Sequence, residues 1–357
     1  MKHSYFLAGI TLGNFFRLIK RYGVSLYPNY LIRILFLLQN GIWASFLKGY
    51  ERRKLGEQLK NHPVPKNPVF IVGHWRTGST FLHQLMNLDP QFVAPTAFQI
   101  SVPDSFLVSR KYYEPIMTKV MSNKRPMDNV ALGFDEPQED EYALLKLTLD
   151  SPLIKLLFPE NDEYFLNGYE DFIPLDRGKW EKELFNFCRK LDFESGKRIV
   201  LKNPFHSMRI PVLKKMFPDA RFIHIYRNPY NVIPSTVNLW NIVGVQNRLK
   251  KRWVAPELKD VISGFDKILS KTQKDLDNLP EEFWYELRFE EFEKNPKAEL
   301  KKMYEHFNWD FTTDLEEKLD KKLSSLKDFK KNKFNLPESE KKLIRSMLKA
   351  HFERYGY

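Results

Sequence analysis

Apolar positions follow two regimes along the chain. Up to about Asn61 they recur at helical spacing in a segment that is apolar and basic by turns. The stretch His62–Pro68, HPVPKNP, then breaks the pattern with three prolines and reads as a linker. Beyond it the apolar runs are short and continuous. Val69–Val72 (VFIV) reads as a strand, Gly73–Gly78 as a loop, and Ser79–Leu88 as a helix. The same alternation returns after Gly196. Strands are expected at Arg198–Leu201, Arg221–Tyr226 and Phe283–Phe289, and helices at Ser207–Phe217, from near Tyr230, at Pro296–Phe307 and at Pro337–Phe352. Strands alternating with helices imply an α/β fold with a mostly parallel central sheet covered on both faces. Residues from about 94 to 192, rich in aromatics and acids, read as a helical insertion that shapes a pocket.

These runs divide the chain into a helical N-terminal segment, 1–61, a catalytic domain, 62–310, carrying the insertion at about 94–192, and a basic helical C-terminal segment, 311–357. Within the first, Tyr30–Leu47 (YLIRILFLLQNGIWASFL) approaches the length that crosses a bilayer, but Arg33, Gln39 and Asn40 interrupt it. Arg17, Lys20 and Arg21 precede it, and Lys48, Arg52, Arg53 and Lys54 follow. Three readings stay open, in this order: a buried helix, an interfacial helix on an anionic membrane close behind it, and a true span. No small-residue cleavage site follows a short apolar region, so the expectation is a cytoplasmic protein, peripheral at the inner membrane face if the interfacial reading holds.

Composition narrows the classes. Hydrophobic residues make up 43% of the chain, enough for a sizeable core, which excludes a disordered or fibrous protein. The net charge of +12 suits small anions, anionic lipid or nucleic acid. The basic residues are scattered and no nucleic-acid module is present, so nucleic acid is not expected as a partner. Lys321, Lys322, Lys327, Lys330, Lys331 and Lys333 read as a solvated helix face. One cysteine, Cys188, allows no internal disulfide and fits a reducing compartment. With no clustered Cys or His partners, no metal is expected.

The chemistry starts in the first strand–loop–helix unit. Gly73-His74-Trp75-Arg76-Thr77-Gly78-Ser79-Thr80 has the frame of a phosphate-binding loop, with four residues between its glycines. A nucleotide triphosphatase would continue with Lys and then Ser or Thr; here Ser79 and Thr80 follow, and the cation sits inside the loop as Arg76. Loop and helix N-terminus still offer N–H groups to an anion, whereas a magnesium-bound triphosphate fits poorly. The same frame also occurs for packing alone.

This loop, FIVGHWRTGSTFLHQLM, resembles the 5′-phosphosulfate loop of the sulfotransferase family, in the bacterial-type and tyrosylprotein-like branch that carries Arg at this point. A second motif matches in the expected order. In RFIHIYRNPYNVIPSTVNLW, residues 221–240, Arg227 and Ser235 fit the family's strand-end arginine and the serine on the next helix. A guanidinium fork with a hydroxyl donor is what a phosphate dianion requires. Lys202-Asn203-Pro204-Phe205-His206 and Leu287-Arg288-Phe289-Glu290-Glu291-Phe292 resemble further family stretches, with Phe289 where a tyrosine is usual. The resemblance covers roughly residues 67–310. It implies a three-layer fold of P-loop type and transfer of a sulfonate group from 3′-phosphoadenylyl sulfate to a hydroxyl or amine, with adenosine 3′,5′-bisphosphate as product and no metal. Arg76, Thr77, Gly78, Ser79 and Thr80 would hold the 5′-phosphosulfate, and Arg227 and Ser235 the 3′-phosphate. The glycine-rich C-terminal donor loop of the best-known branch is absent; Phe329–Lys333 either replaces it by charge or is a solvated lysine run.

In-line displacement at sulfur needs a cation on the leaving oxygen, assigned to Arg76 with the loop N–H groups, and a base at the acceptor. The branch's glutamate position reads APTAFQ, Ala94 to Gln99, and holds no acid. Candidates for the base are therefore Glu139, then Glu136, both in the acidic run Asp135–Glu141, with His206 third. His74 either touches the sulfonate or fills a turn. The rival readings are a kinase or nucleotide hydrolase and a membrane-associated nucleotide-binding scaffold; a missing Gly-Lys-Ser/Thr and an intact set of Arg76, Ser79, Arg227 and Ser235 speak against them in turn. The acceptor is a small molecule, lipid or carbohydrate.

Overall fold

In a computed structural model the described residues are 6–23, 25, 27–63, 65–120, 133–160, 176–250, 253–326 and 334–357. Lys327, Lys330, Lys331 and Lys333, and with them the Phe329–Lys333 run, lie outside them. The chain forms two compact units, one of residues 1–65, 95–196 and 241–255, the other of residues 66–94, 197–240 and 256–357.

The second unit holds a five-stranded sheet. Its strands are β1 Val69–Val72, β2 Phe92–Val93, β3 Arg198–Lys202, β4 Arg221–Tyr226 and β5 Trp284–Arg288. They lie in the order β2-β3-β1-β4-β5, and every pairing is parallel. All four residues of β1 are buried, as the continuous run VFIV requires of a strand covered on both faces. On one face Val69, Ile71, Val200, Ile223 and Ile225 pack with Leu82 and Leu85 from helix α3, Ser79–Met86, and with Leu300, Met303 and Tyr304 from the helix Pro296–His306. On the other, Phe70 stacks on Phe222 with ring centroids 5.6 Å apart and meets Phe217 and His206. This is the three-layer α/β architecture expected from the strand–helix alternation.

Several bounds differ from the sequence reading. β2 is two residues long, too short to show an alternation. The helix expected at 207–217 is a 3₁₀ turn, Pro204–Met208, followed by Ile210–Met216. Prolines lead both pieces, where a missing N–H costs nothing, and Asn203 caps the first by accepting from the Phe205 N–H at 3.0 Å. The tail helix is two, Glu338–Met347 and Lys349–Tyr355. The second brings Phe352 against Tyr230 and stacks Tyr355 on Tyr226 at 4.0 Å.

In the first unit the described elements are helices, apart from an isolated antiparallel bridge between Thr96 and Pro137. Helix α1, Leu12–Tyr22, packs on α2, Pro28–Asn61, where the Leu12 N–H donates to Ser45 Oγ at 2.9 Å. Leu37, Gly41, Ala44, Leu47 and Glu51 form the buried side of α2 at spacings of three and four. A Cβ at Gly41 would stand 3.2 Å from the Ile10 carbonyl oxygen. Glu51 accepts from Lys190 Nζ at 2.5 Å and from the Leu107 N–H at 3.0 Å, an ion pair that fixes the C-terminal half of α2. Burial raises the Glu51 carboxyl and lowers the Lys190 ammonium, each offset in part by the other's charge. The first-ranked reading of residues 30–47 is overturned here. The apolar window that begins at Tyr30 is long and apolar enough to cross a membrane, yet only 22% of it is buried. Spacing alone does not separate the readings, since this helix carries apolar residues on both its packed and its exposed side.

Candidate functional site

The loop between β1 and α3 lies at the C-terminal ends of the parallel strands, where β1 is flanked by β3 on one side and β4 on the other. This is the switch point at which α/β sheets open a crevice. Its entry is fixed by packing. Gly73 has φ of 140°, and a Cβ there would lie 2.4 Å from the Ile225 carbonyl oxygen of β4. Ser207 Oγ accepts from the Gly73 N–H at 2.7 Å and donates to its carbonyl at 3.1 Å. Thr77 Oγ1 closes the loop by donating to the His74 carbonyl at 2.8 Å. His74 is buried against Phe265, and burial lowers its pKa to about 4. Of its two readings, the turn-filling one describes this position.

Arg76 adopts φ of 70°, a left-handed conformation that a non-glycine residue holds only where its surroundings require it. That twist sends its side chain to the helix Pro229–Asn247, where Nε donates to Ser235 Oγ at 2.8 Å. Arg227 leaves the end of β4 and donates from Nη1 to the Arg76 carbonyl at 3.2 Å. The two arginines and Ser235, from the two motifs, thus meet in one place. Burial, with the neighbouring charge of Arg76 as a lesser cause, lowers the Arg227 pKa from the ordinary arginine value; a guanidinium keeps its charge under such a shift. Arg227 Nε is buried with no acceptor among the described residues. A buried guanidinium donor in that state fits an anionic ligand.

Phe289 holds the two motifs together. Its ring lies against Gly78, where φ is 95° and a Cβ would fall 2.1 Å from a ring carbon. The Arg227 guanidinium stands over the same ring, 4.3 Å from its centroid. An aromatic ring suffices for both contacts, so the phenylalanine at this position loses nothing in packing. Gly78 also precedes the first turn of α3, so Ser79 and Thr80 begin a helix whose leading N–H groups have no partner within it. The next turn is braced as well, the Asn228 N–H donating to Glu290 at 3.0 Å and Tyr357 to the same carboxylate at 2.7 Å. Lys202, not singled out as a site residue from the sequence, is a further cation. It is 3% exposed at the end of β3, in register with Ile71, two residues short of Gly73. Its signal in the sequence is the Leu201–His206 stretch itself, which carries a lysine at the end of a strand beside the loop.

The three base candidates have different surroundings. His206 is fully buried in the 3₁₀ turn, edge-on to Phe70 at 5.5 Å. That edge contact is the packing role a histidine at this position can fill. Glu136 and Glu139 are half-buried, on the segment bridged to Thr96 in the other unit.

Comparison with known proteins gives concordant results. The profile described as the sulfotransferase family matches residues 68–313. The chain is 32% identical over 322 residues to the omega-hydroxy-beta-dihydromenaquinone-9 sulfotransferase Stf3 of Mycobacterium bovis and of Mycobacterium tuberculosis, covering 89% of this chain and 80% of each relative. Its fold matches the crystal structure of sulfotransferase STF9 from Mycobacterium avium with a TM-score of 0.72 at 17% identity, over 97% of this chain and 96% of the other. The match to sulfotransferase STF1 from Mycobacterium tuberculosis has a TM-score of 0.63 at 15% identity, over 95% and 91%. Extending across both motifs, the profile match and the 32% identity place the chain in the sulfotransferase family, as an enzyme that transfers a sulfonate group.

Proposed function

We propose that the donor is 3′-phosphoadenylyl sulfate, with Arg76 and the backbone of Thr77, Gly78, Ser79 and Thr80 around the 5′-phosphosulfate and Arg227 with Ser235 on the 3′-phosphate. The observation that carries this is the meeting of Arg76 Nε with Ser235 Oγ at 2.8 Å, which joins the two anion sites across the sheet's switch point. The acceptor oxygen attacks sulfur, the bond between sulfur and the bridging phosphate oxygen breaks, and that oxygen leaves with the electron pair on adenosine 3′,5′-bisphosphate. Arg76 meets the charge that develops there. The acceptor proton passes to a carboxylate, Glu139 ahead of Glu136. The acceptor is a hydroxyl on a lipid-class molecule, supported by the hydroxylated menaquinone named for the mycobacterial relatives. It is reached at a membrane surface on the cytoplasmic side, through residues 30–47.

Thermal denaturation tests the donor assignment. Adenosine 3′,5′-bisphosphate at about 100 times its dissociation constant stabilises by about 2.7 kcal/mol without added metal, and 5′-AMP at the same concentration by much less. Equal shifts from the two nucleotides would remove the 3′-phosphate site. Labelled donor supplied with lipid and aqueous extracts then tests the acceptor, and label entering only water-soluble products refutes the lipid class.

A further inference from the structure

We propose that the exposed side of α2 is a membrane-docking face that lies in the plane of an anionic bilayer surface without crossing it. This deepens the lipid-acceptor reading, on which its purpose rests, while the geometry stands apart from the chemistry. Ile32, Leu35, Ile42, Trp43 and Phe46 are 55–70% exposed, and Tyr50 is 38% exposed. At 100° per residue Leu35, Ile42 and Phe46 fall on one line along the helix, with Ile32, Trp43 and Tyr50 on the line beside it. From Ile32 to Tyr50 the stripe runs about 27 Å at 1.5 Å per residue. Trp43 and Tyr50 are of the type that settles at the headgroup level. Gln39 alone interrupts the first line.

Charge decides what covers the stripe. Arg52, Arg53 and Lys54 follow it on α2, and Arg17, Lys20 and Arg21 lie on α1, which packs against α2; all six are exposed. Between residues 12 and 56 the sequence has one acid, Glu51, and it is buried with Lys190. Apolar side chains flanked by cations and free of exposed acids complement anionic headgroups over an acyl layer. A second copy of the chain is a poor occupant, because a two-fold pairing of this face would bring cations against cations in either direction. The other side of the same helix speaks for an interfacial position over a span. Gly41 is seated on Ile10 and Leu12, and Glu51 is locked to Lys190, so that side is packed on protein. The same contacts fix which side of the helix faces outward, so its apolar side is already presented before docking.

The test uses the full chain and sucrose-loaded vesicles, without donor or acceptor. We expect it to sediment with vesicles of phosphatidylcholine and phosphatidylglycerol at about 0.1 M salt, to sediment far less with phosphatidylcholine alone, and to be released by about 0.5 M salt. The double substitution Trp43→Gln with Phe46→Gln weakens vesicle binding about tenfold or more, and so does Arg52→Gln with Arg53→Gln. Both variants keep the wild-type thermal shift with adenosine 3′,5′-bisphosphate, which shows that the fold survives and keeps this outcome separate from that of the donor assignment. Absence of sedimentation with either vesicle overturns the proposal. So does a dimer in vesicle-free solution that Trp43→Gln with Phe46→Gln converts to monomer, and so does retention in the membrane after alkaline carbonate.

Discussion

Gly78→Ala is the substitution whose cost the structure sets most directly. Two penalties add at this residue. A Cβ must be carried at φ of 95°, in the left-handed region, for about 1–2 kcal/mol. The same Cβ would lie 2.1 Å from a carbon of the Phe289 ring, so the ring must move, and overpacking of this kind costs about 1–3 kcal/mol. Together they come to about 2–5 kcal/mol, a lowering of the melting temperature by about 5 °C for a cost near the middle of that range. Function suffers beyond stability, because the displaced ring is the one under the Arg227 guanidinium. Adenosine 3′,5′-bisphosphate binding therefore weakens in the folded variant. A double-mutant cycle with Phe289→Leu isolates the clash: the smaller side chain makes room, and the pair is less destabilised than the sum of the singles by about 1 kcal/mol or more. Urea denaturation gives the cycle and calorimetric titration gives the nucleotide affinity. Wild-type stability in Gly78→Ala, or strictly additive costs, would refute the claim that Phe289 and Gly78 together set the position of the loop and of Arg227.

Other expectations follow from the same geometry. Arg76→Ala lowers turnover by about 10²–10³ with a smaller loss of donor affinity, because the cation acts on charge that appears at the leaving oxygen; Arg227→Ala chiefly raises the donor KM, and steady-state kinetics that show the reverse split would exchange the two roles. Glu139→Gln depresses turnover by about 10²–10⁴ and leaves nucleotide binding intact, while full activity beside an impaired Glu136→Gln moves the base to Glu136. Acid sensitivity is expected from the buried histidines: burial holds His74 at about 4 and, with Lys202 as a second cause, His83 at about 3. Below 6.5 the unfolded chain binds protons that the folded chain refuses, so stability falls as pH drops from 6.5 toward 4, by about 2 kcal/mol at pH 5 for His74 alone. Urea titrations at pH 7 and pH 5 measure it, and a flat profile would show that these rings are hydrated.

The β1 run Val69–Val72, the glycine-bounded loop after it, and Arg227 with Ser235 beyond β4 could all be found in the sequence, because each is a local pattern. Continuous apolar residues specify a strand buried on both faces, and glycines mark the turns that must admit an anion or a neighbouring backbone. The sequence by itself therefore determined the α/β class, the order of the two anion motifs and the family they resemble. It could not determine that Arg76 reaches Ser235, since that contact joins residues far apart in the chain and depends on the left-handed twist at Arg76 and on how β4 lies beside β1. Nor could it separate Phe289 as packing from Phe289 as the ring shared by Gly78 and Arg227, or remove His206 from solvent. The largest change concerned residues 30–47. Their composition admits a core, an interface or a span, and what the tertiary contacts added is which side is covered: Gly41 on Ile10 and Leu12 and Glu51 on Lys190 use one side of α2, and nothing in the pattern of one helix specifies which side its neighbours will cover.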